Sequence, residues 1–510
     1  MGTDFLTRLS GGFLKYRYWL LSLALFVLMG LHSYNGLWVG DFWEHSSVIR
    51  ELALHPLHPQ HPQLLINAPH AFYTPYHLIW ALFSRWTGVS AISTLELAGM
   101  INLWLLLTGL FWFISAFKPR NRDGAAFYSL LFMLLLWGSL AWNYSGFYHL
   151  GTLGWVIPYP STFAIALTFF ALAINQRRID TGRDLLLLPV FLIAIVVLLS
   201  HQITFIFLAL GLISFSLRAP GRLWVELLKI GGLLALALGL AAFWPYYPFI
   251  QLLLGGSAVF HASNQDMYQH VIIRIWPASI GIPFLVLEGW RDHRQPLVWM
   301  FAGLLVIYII GGVSGAYSYG RVISYMVVIL DLIIALYVAR WETKITIGGQ
   351  PLQRSQAFFS IGFSLVLVIL AFQSFISPLT GSLKPQMTNR YARFQFLSSY
   401  TKPDDVVLAP AGLNLYVPTF GGKVVAFDRP LAFVPDQTQR QEAVNRFFDL
   451  KDSQSDRIQT LQQYGVKYIL LEKTADSNWE SLRTQVAPFT DLIYRGKRYL
   501  LFSIDPARLP

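Results

Sequence analysis

Residues 37 to 62 read LWVGDFWEHSSVIRELALHPLHPQHP and follow directly on an apolar run. Within five residues this stretch places Asp41, Glu44 and His45. Those positions stand at i, i+3 and i+4, so on a helix the three side chains share one face. A carboxylate at a helix N-terminus is kept ionised by the helix dipole and is therefore able to accept a proton from a hydroxyl. Asp-x-x-Glu before a helical run is also a capping box, with the Asp41 side chain bonding the N–H of residue 44. Acid–base chemistry and capping are compatible at one site.

Histidines 55, 58 and 61 recur every third residue among prolines. On a polyproline II segment they would line one edge about 9 Å apart. Zinc needs ligand atoms only about 3–4 Å apart, so the run by itself is no metal site. A rigid, proline-braced loop is the better reading.

The chain has 510 residues, of which 55% are hydrophobic, 15% aromatic and 13% charged. Soluble domains carry about 25% charged residues, so most of this chain is not solvated surface. Its mean hydropathy is +0.49. Repeated apolar windows indicate a polytopic α-helical membrane protein. With no cysteine, disulfides, thiolate catalysis and Cys-based zinc sites are excluded. The first window, from Tyr18, lacks a small-residue cleavage site and reads as a retained helix.

Apolar windows fall near 18–37, 93–117, 125–142, 161–175, 185–200, 203–217, 223–245, 275–289, 296–312, 321–339 and 357–377, about eleven spans. With the N-terminus inside, seventeen Lys and Arg fall in inner segments and four, Arg50, Arg85, Arg274 and Arg321, in outer segments before residue 378. This bias fixes an N-in, C-out topology and accounts for the net charge of +11 without a nucleic-acid partner. Residues 1–377 are then a transmembrane domain with a long first outer loop, 38–92. That loop holds two expected interfacial helices, DFWEHSSVIRELALH and TPYHLIWALFSRW, with Trp38, Phe42 and Trp43 as anchors. Arg50 and Arg85 on these helices read as snorkelling to headgroups.

From Pro378 the composition changes: 30 of the last 133 residues are charged. DDVVLAP, KVVAFD, KYILLEK and RYLLFSID read as strands, and QRQEAVNRFFDL and SDRIQTLQQYG as helices, the second closed by Gly465. Residues 378–510 are expected to form an extracytoplasmic α/β domain. No glycine loop for nucleotides and no nucleophile signature appears in it.

A first span followed at once by an acid in GDFWEH, a long outer loop, about a dozen spans and an outer α/β domain resemble the GT-C superfamily of integral-membrane glycosyltransferases. That superfamily includes protein O-mannosyltransferases and the aminoarabinose transferase of lipid A. The resemblance implies a hexosyl- or pentosyltransferase of the inner (plasma) membrane. It would move a sugar from a polyprenyl-phosphate-linked donor to a glycan, lipid or protein acceptor, with Asp41 as general base. Many relatives write two adjacent acids in this loop, whereas Asp41 and Glu44 are separated. The second outer loop, NYSGFYHLGTLGWVIPYPST, has no acid. This speaks against a metal-assisted version, and a divalent metal or other cofactor is left without support.

Transfer also needs positive charge at the leaving phosphate. Arg274 in HVIIRIWP and Arg321 in YSYGRVISY stand at outer span ends and suit a phosphate, although snorkelling explains each as well. Asp266 in HASNQDMYQH offers a second acid. His201 in LLSHQITF sits at an outer turn, where a structural hydrogen bond is the rival role. His45, Tyr73 and Tyr76 are candidate substrate contacts near the acids, and the aromatic membrane belt is the alternative for the tyrosines. Asp331, near mid-membrane, reads as a polar contact between helices. A transporter or flippase, or a saccharide polymerase or ligase, is the rival function. The absence of a repeat and the clustering of acids at the outer edge favour transfer.

Overall fold

The computed structural model describes residues 2–219, 221–256, 260–344, 346–347, 350–351, 355–356, 358–369, 393–473 and 479–509. The chain divides into two compact units. One comprises Met1–Leu37, Glu96–Trp244 and Phe260–Gln386, and the other Trp38–Leu95, Pro245–Val259 and Met387–Pro510. The first outer loop therefore groups with the C-terminal segment. The expected boundary at 377/378 lies outside the described residues.

Each apolar window carries a helix. Helix α1 is Gly2–Tyr34; the others are Ala91–Ser115, Arg122–Leu135, Pro160–Thr181, Leu187–Ser200, Gln202–Ser216, Leu223–Ala241, Gly281–Arg291, Pro296–Ser314, Ile323–Glu342 and Phe358–Ile369. Residues 370–377 of the last window lie outside the described residues. Among the described residues, five helices are long and apolar enough to cross a membrane, or up to seven if each bent pair is one span. Crossing takes about 20 residues, and several windows carry shorter helices. Trp224, Phe243, Ile272, Trp290 and Val313 point outward from this helical unit, as hydrocarbon-facing groups do.

Ionic contacts gather the expected inner segments at one end of the helical unit. Arg17 forks onto Glu342 at 2.5 and 2.6 Å, and Asn121 also donates to Glu342. Lys118 meets Asp180 at 2.8 Å, while Arg218 donates to Ala116 O and Gln295. Arg178 pairs with Glu226 and Asp184, and Arg340 with Glu288. Asp331, within the buried helix Ile323–Glu342, makes no hydrogen bond among the described residues, so the expected polar contact is not formed.

The second unit is built on a five-stranded mixed sheet. Its order is Lys423–Val424, Val406–Leu408, Val466–Glu472, Tyr499–Ile504, Thr490–Arg495. The first three strands run parallel, and Tyr499–Ile504 is antiparallel to both its neighbours. Alternation puts Val406, Leu408, Ile469 and Leu471 in one core and Val407 and Leu470 in the other. The four expected strands and both helices are present, the latter as Gln437–Phe448 and Gln454–Gln463, with Gly465 at φ +59 beyond the second. Thr490–Arg495 is a further strand that the sequence reading passes over.

Helix α2 (Phe42–Leu54) and helix α3 (Pro75–Thr87) realise the two helices expected in the first loop. Helix α3 starts at Thr74, whose hydroxyl accepts the His77 N–H, and stops at Gly88 in the left-handed region. Trp38, Phe42 and Trp43, expected as membrane anchors, are instead buried in protein. The Trp43 ring packs on Tyr416 at 4.7 Å, because the short helix Val417–Phe420 covers α2. Arg50, expected to snorkel, donates to Pro418 O and Gly421 O at 3.1 Å. Arg85 donates to Ala53 O and Leu54 O, closing the end of α2.

A buried ion pair secures the loop to the sheet. Lys423 Nζ lies 2.7 Å from Glu51 Oε2 and donates to His61 O at 2.8 Å. Val424 N–H donates to Gln63 O at 2.7 Å, and Leu64 bridges Val424 in parallel register. Removing one partner of a buried pair strands the other charge, at a cost of about 3–5 kcal/mol. Lys423→Met should therefore lower the thermal midpoint of the detergent-solubilised protein sharply, and Glu51→Met with Lys423→Met should recover much of the loss. Equal midpoints for Lys423→Met and wild type would show that the pair holds nothing.

Candidate functional site

The chain enters α2 through Gly40, at φ +61. Asp41 follows with helical backbone, and its side chain makes no capping hydrogen bond among the described residues. The expected capping box is therefore not formed. Asp41 Oδ1 lies 3.0 Å from Arg429 Nη2 instead, with the two side chains 38% and 36% exposed. An ion pair this open is worth about 0–1 kcal/mol and does little for the fold.

Glu44 and His45 turn inward, both buried. Glu44 Oε1 stands 3.6 Å from His70 Nε2. His70 Nδ1 accepts the Phe72 N–H at 3.2 Å, so the neutral ring carries its proton on Nε2, facing Glu44. Burial pushes the Glu44 carboxyl up, and His70 offsets this in part. His45 Nδ1 meets His77 Nε2 at 2.8 Å, and His77 Nδ1 meets Thr74 Oγ1 at 2.8 Å. Burial lowers His45 to about 4 and His77 well below its ordinary value.

The proline-braced histidines do not line one edge. His55 is exposed and contacts Glu51 at 2.9 Å, and His58 is exposed. His61 is buried, its Nδ1 accepting the N–H groups of Gln63 and Leu64. Burial holds His61 well below the usual histidine range. Among the described residues no three His, Asp or Glu side chains are grouped to hold a metal ion. A guanidinium beside Asp41 is a poor neighbour for a cation, so these residues do not fit a metal. Tyr73 and Tyr76, expected to face a sugar, are buried. The Tyr73 hydroxyl donates to Gln60 O.

The helical unit brings together three other expected residues. Tyr144 hydroxyl donates to Asp266 Oδ1 at 3.1 Å, and Arg274 Nη1 lies 4.0 Å from Asp266 Oδ2. Arg274 lies over the Trp142 ring at 4.7 Å. Arg321 lies over the Tyr144 ring at 5.8 Å and donates to Ser145 Oγ at 3.0 Å. Both guanidiniums therefore meet one short segment, Trp142–Ser145. His201 takes its structural alternative: Nδ1 accepts the Thr204 N–H and meets Thr204 Oγ1 at 2.7 Å, capping the helix that follows.

Sequence reasoning passed over Arg429, His70 and His77. His77 was discoverable, since TPYH is a helix start with a capping threonine. Arg429 carried no local signal, because its partner lies at the other end of the chain.

Solved structures share this architecture. The archaeal oligosaccharyltransferase AglB from Archaeoglobus fulgidus, in complex with an inhibitory peptide and a dolichol-phosphate, matches with TM-score 0.52 at 11% identity, over 98% of this chain and 75% of its own. ArnT from Cupriavidus metallidurans in the apo state matches with TM-score 0.56 at 12% identity, over 97% and 99%. The arabinofuranosyltransferase AftD from Mycobacteria matches with TM-score 0.54 at 15% identity, over 96% of this chain and 40% of its own. All three are GT-C glycosyltransferases, and the chain has the GT-C fold. No protein-family profile and no curated protein matches it.

His45, His61 and His77 are held neutral in the fold, so the unfolded chain binds more protons below about pH 6.5. The stability this permits is full above pH 6.5 and falls as the pH drops, by about 1.4 kcal/mol per pH unit for each histidine. Glu44, whose carboxyl is raised, acts in the opposite sense above its ordinary range and offsets one such contribution. The thermal midpoint should thus fall between pH 7 and pH 5, and fall less in His45→Gln. A flat wild-type profile across that range would contradict the neutral assignment.

Proposed function

We propose that the chain transfers a sugar from a polyprenyl-phosphate-linked donor to a glycan, lipid or protein acceptor on the extracytoplasmic face of the membrane. The observation that carries this reading is the environment of Asp41 in a GT-C fold. Of the three acid–base side chains at the start of α2, it is the one open to solvent, while Glu44 and His45 are buried. An acceptor hydroxyl is able to reach Asp41, and the other two are shielded from it.

In the proposed step the acceptor O–H gives its proton to Asp41 and the oxygen attacks the anomeric carbon. The bond from that carbon to the phosphate oxygen breaks, and the electron pair leaves with the phosphate. Arg274 and Arg321 are proposed to neutralise that phosphate, and their shared contact with Trp142–Ser145 supports the assignment. Asp266, already bonded to Tyr144, orients this group. Glu44 and His45 shape the start of α2 from behind. Tyr73 and Tyr76 are buried supports of the first loop, and His201 caps the helix that follows it.

The proposed topology has eleven spans, N-terminus inside and C-terminus outside, with residues 378–510 extracytoplasmic. The positive-inside bias supports it, as do the ionic contacts that join the Lys- and Arg-rich segments at one end of the helical unit. An inner (plasma) membrane follows from where such a donor is found.

Purified protein in proteoliposomes, supplied with a panel of polyprenyl-phosphate sugars, tests the reading. Asp41→Asn should lower transfer by about 10²–10⁴-fold while the thermal midpoint stays near wild type. Glu44→Gln should retain most of the activity. Full transfer by Asp41→Asn would remove Asp41 from the chemistry.

A further inference from the structure

We infer that Arg429 of the C-terminal segment is a positioning residue for Asp41, and that Gly40 is the opening through which it reaches; this rests on the transferase reading above. Four observations meet at this point. The first is the ion pair itself, Arg429 Nη2 to Asp41 Oδ1 at 3.0 Å. The pair is too open to matter to the fold, so its value lies in what it does to the carboxylate.

The second is Gly40. A Cβ on this residue would lie 2.8 Å from Arg429 Nη2, closer than real side chains approach. The backbone there is at φ +61, a conformation that glycine adopts without strain. A side chain at residue 40 would crowd the guanidinium and require it to shift.

The third is the bracing of the Arg429 backbone. The Gln437 side chain donates from Nε2 to Arg429 O, and its Oε1 accepts the Leu431 N–H at 2.9 Å. One amide thus fixes the loop on both sides of residue 430. The fourth is that Arg429 Nε is buried and has no hydrogen bond among the described residues. The side chain is therefore aimed by its approach to Asp41 rather than by a network of its own.

Held by Oδ1, the Asp41 carboxylate keeps one orientation and presents Oδ2 to the acceptor hydroxyl. Arg429 does not touch the reacting atoms and acts through Asp41.

Arg429→Gln, Arg429→Lys, Gly40→Ala and the Gly40→Ala/Arg429→Gln double variant test this in full-length protein. Two measurements apply: the kcat and KM of transfer, and carbodiimide labelling of Asp41 read by mass spectrometry. Arg429→Gln should lower kcat about 10- to 100-fold with little change in KM, as misplacement of a catalytic group does. Gly40→Ala should behave alike, the double variant should be no worse than either single, and Arg429→Lys, which keeps a cation beside Asp41, should keep much of the wild-type kcat. Labelling of Asp41 should rise several-fold in Arg429→Gln and Gly40→Ala. Unchanged labelling and an unchanged kcat in Arg429→Gln, beside active wild type, would overturn the inference and leave the transferase reading standing. If wild type transfers no sugar, that reading fails, and the labelling result alone decides whether Arg429 holds Asp41.

Discussion

The contact on which the second unit depends is the buried pair of Lys423 and Glu51. Lys423 belongs to the sheet through its backbone, donating to Asp405 O at 2.7 Å, and grips the first loop through its ammonium. Glu51 in turn gathers the loop onto itself, accepting the Gln60 N–H at 3.0 Å and meeting His55 at 2.9 Å. Burial alone would push the Glu51 carboxyl up; Lys423 and these hydrogen bonds more than offset it and hold it low. A buried charge is tolerated only when so completely partnered. The site-bearing helix α2 is thereby part of a folded body, with one side against Val417–Phe420, and not a mobile loop.

That arrangement sorts three neighbouring side chains by access. Helical periodicity put Asp41, Glu44 and His45 on one face, but packing decides which of them meets solvent. Glu44 and His45 face His70 and His77 and are desolvated, which favours their neutral forms. Asp41, about one turn earlier, stays at the rim with a guanidinium as neighbour. Environment rather than residue type separates the exposed side chain from the two buried ones.

How much of this the sequence carried follows from the range of each interaction. Apolar windows and strand alternation depend on neighbours within a turn or two, so the helices and four of the five strands were legible. Thr490–Arg495 was not, because TDLIYR at a sheet edge lacks a regular apolar alternation. The environments of Trp43 and Arg50 were misread for one reason. Amphipathic patterning shows that a helix buries a face, yet does not say whether lipid or protein covers it. Here the cover is the helix Val417–Phe420, far along the chain. Asp41 stood out in the sequence by its place after the first span, whereas Arg429, with a partner so distant in sequence, left no local trace.

The second unit's three-segment composition sets an order of events during synthesis. Glu51 and Lys423 are 372 positions apart. At ribosomal elongation of about 5–20 residues per second, roughly 20 to 75 s separate the emergence of one from that of the other. Throughout that interval α2 has neither its salt-bridge partner nor its covering helix, and Trp43 stands uncovered. The unit that holds α2 is complete only once its last segment, Met387–Pro510, has been made.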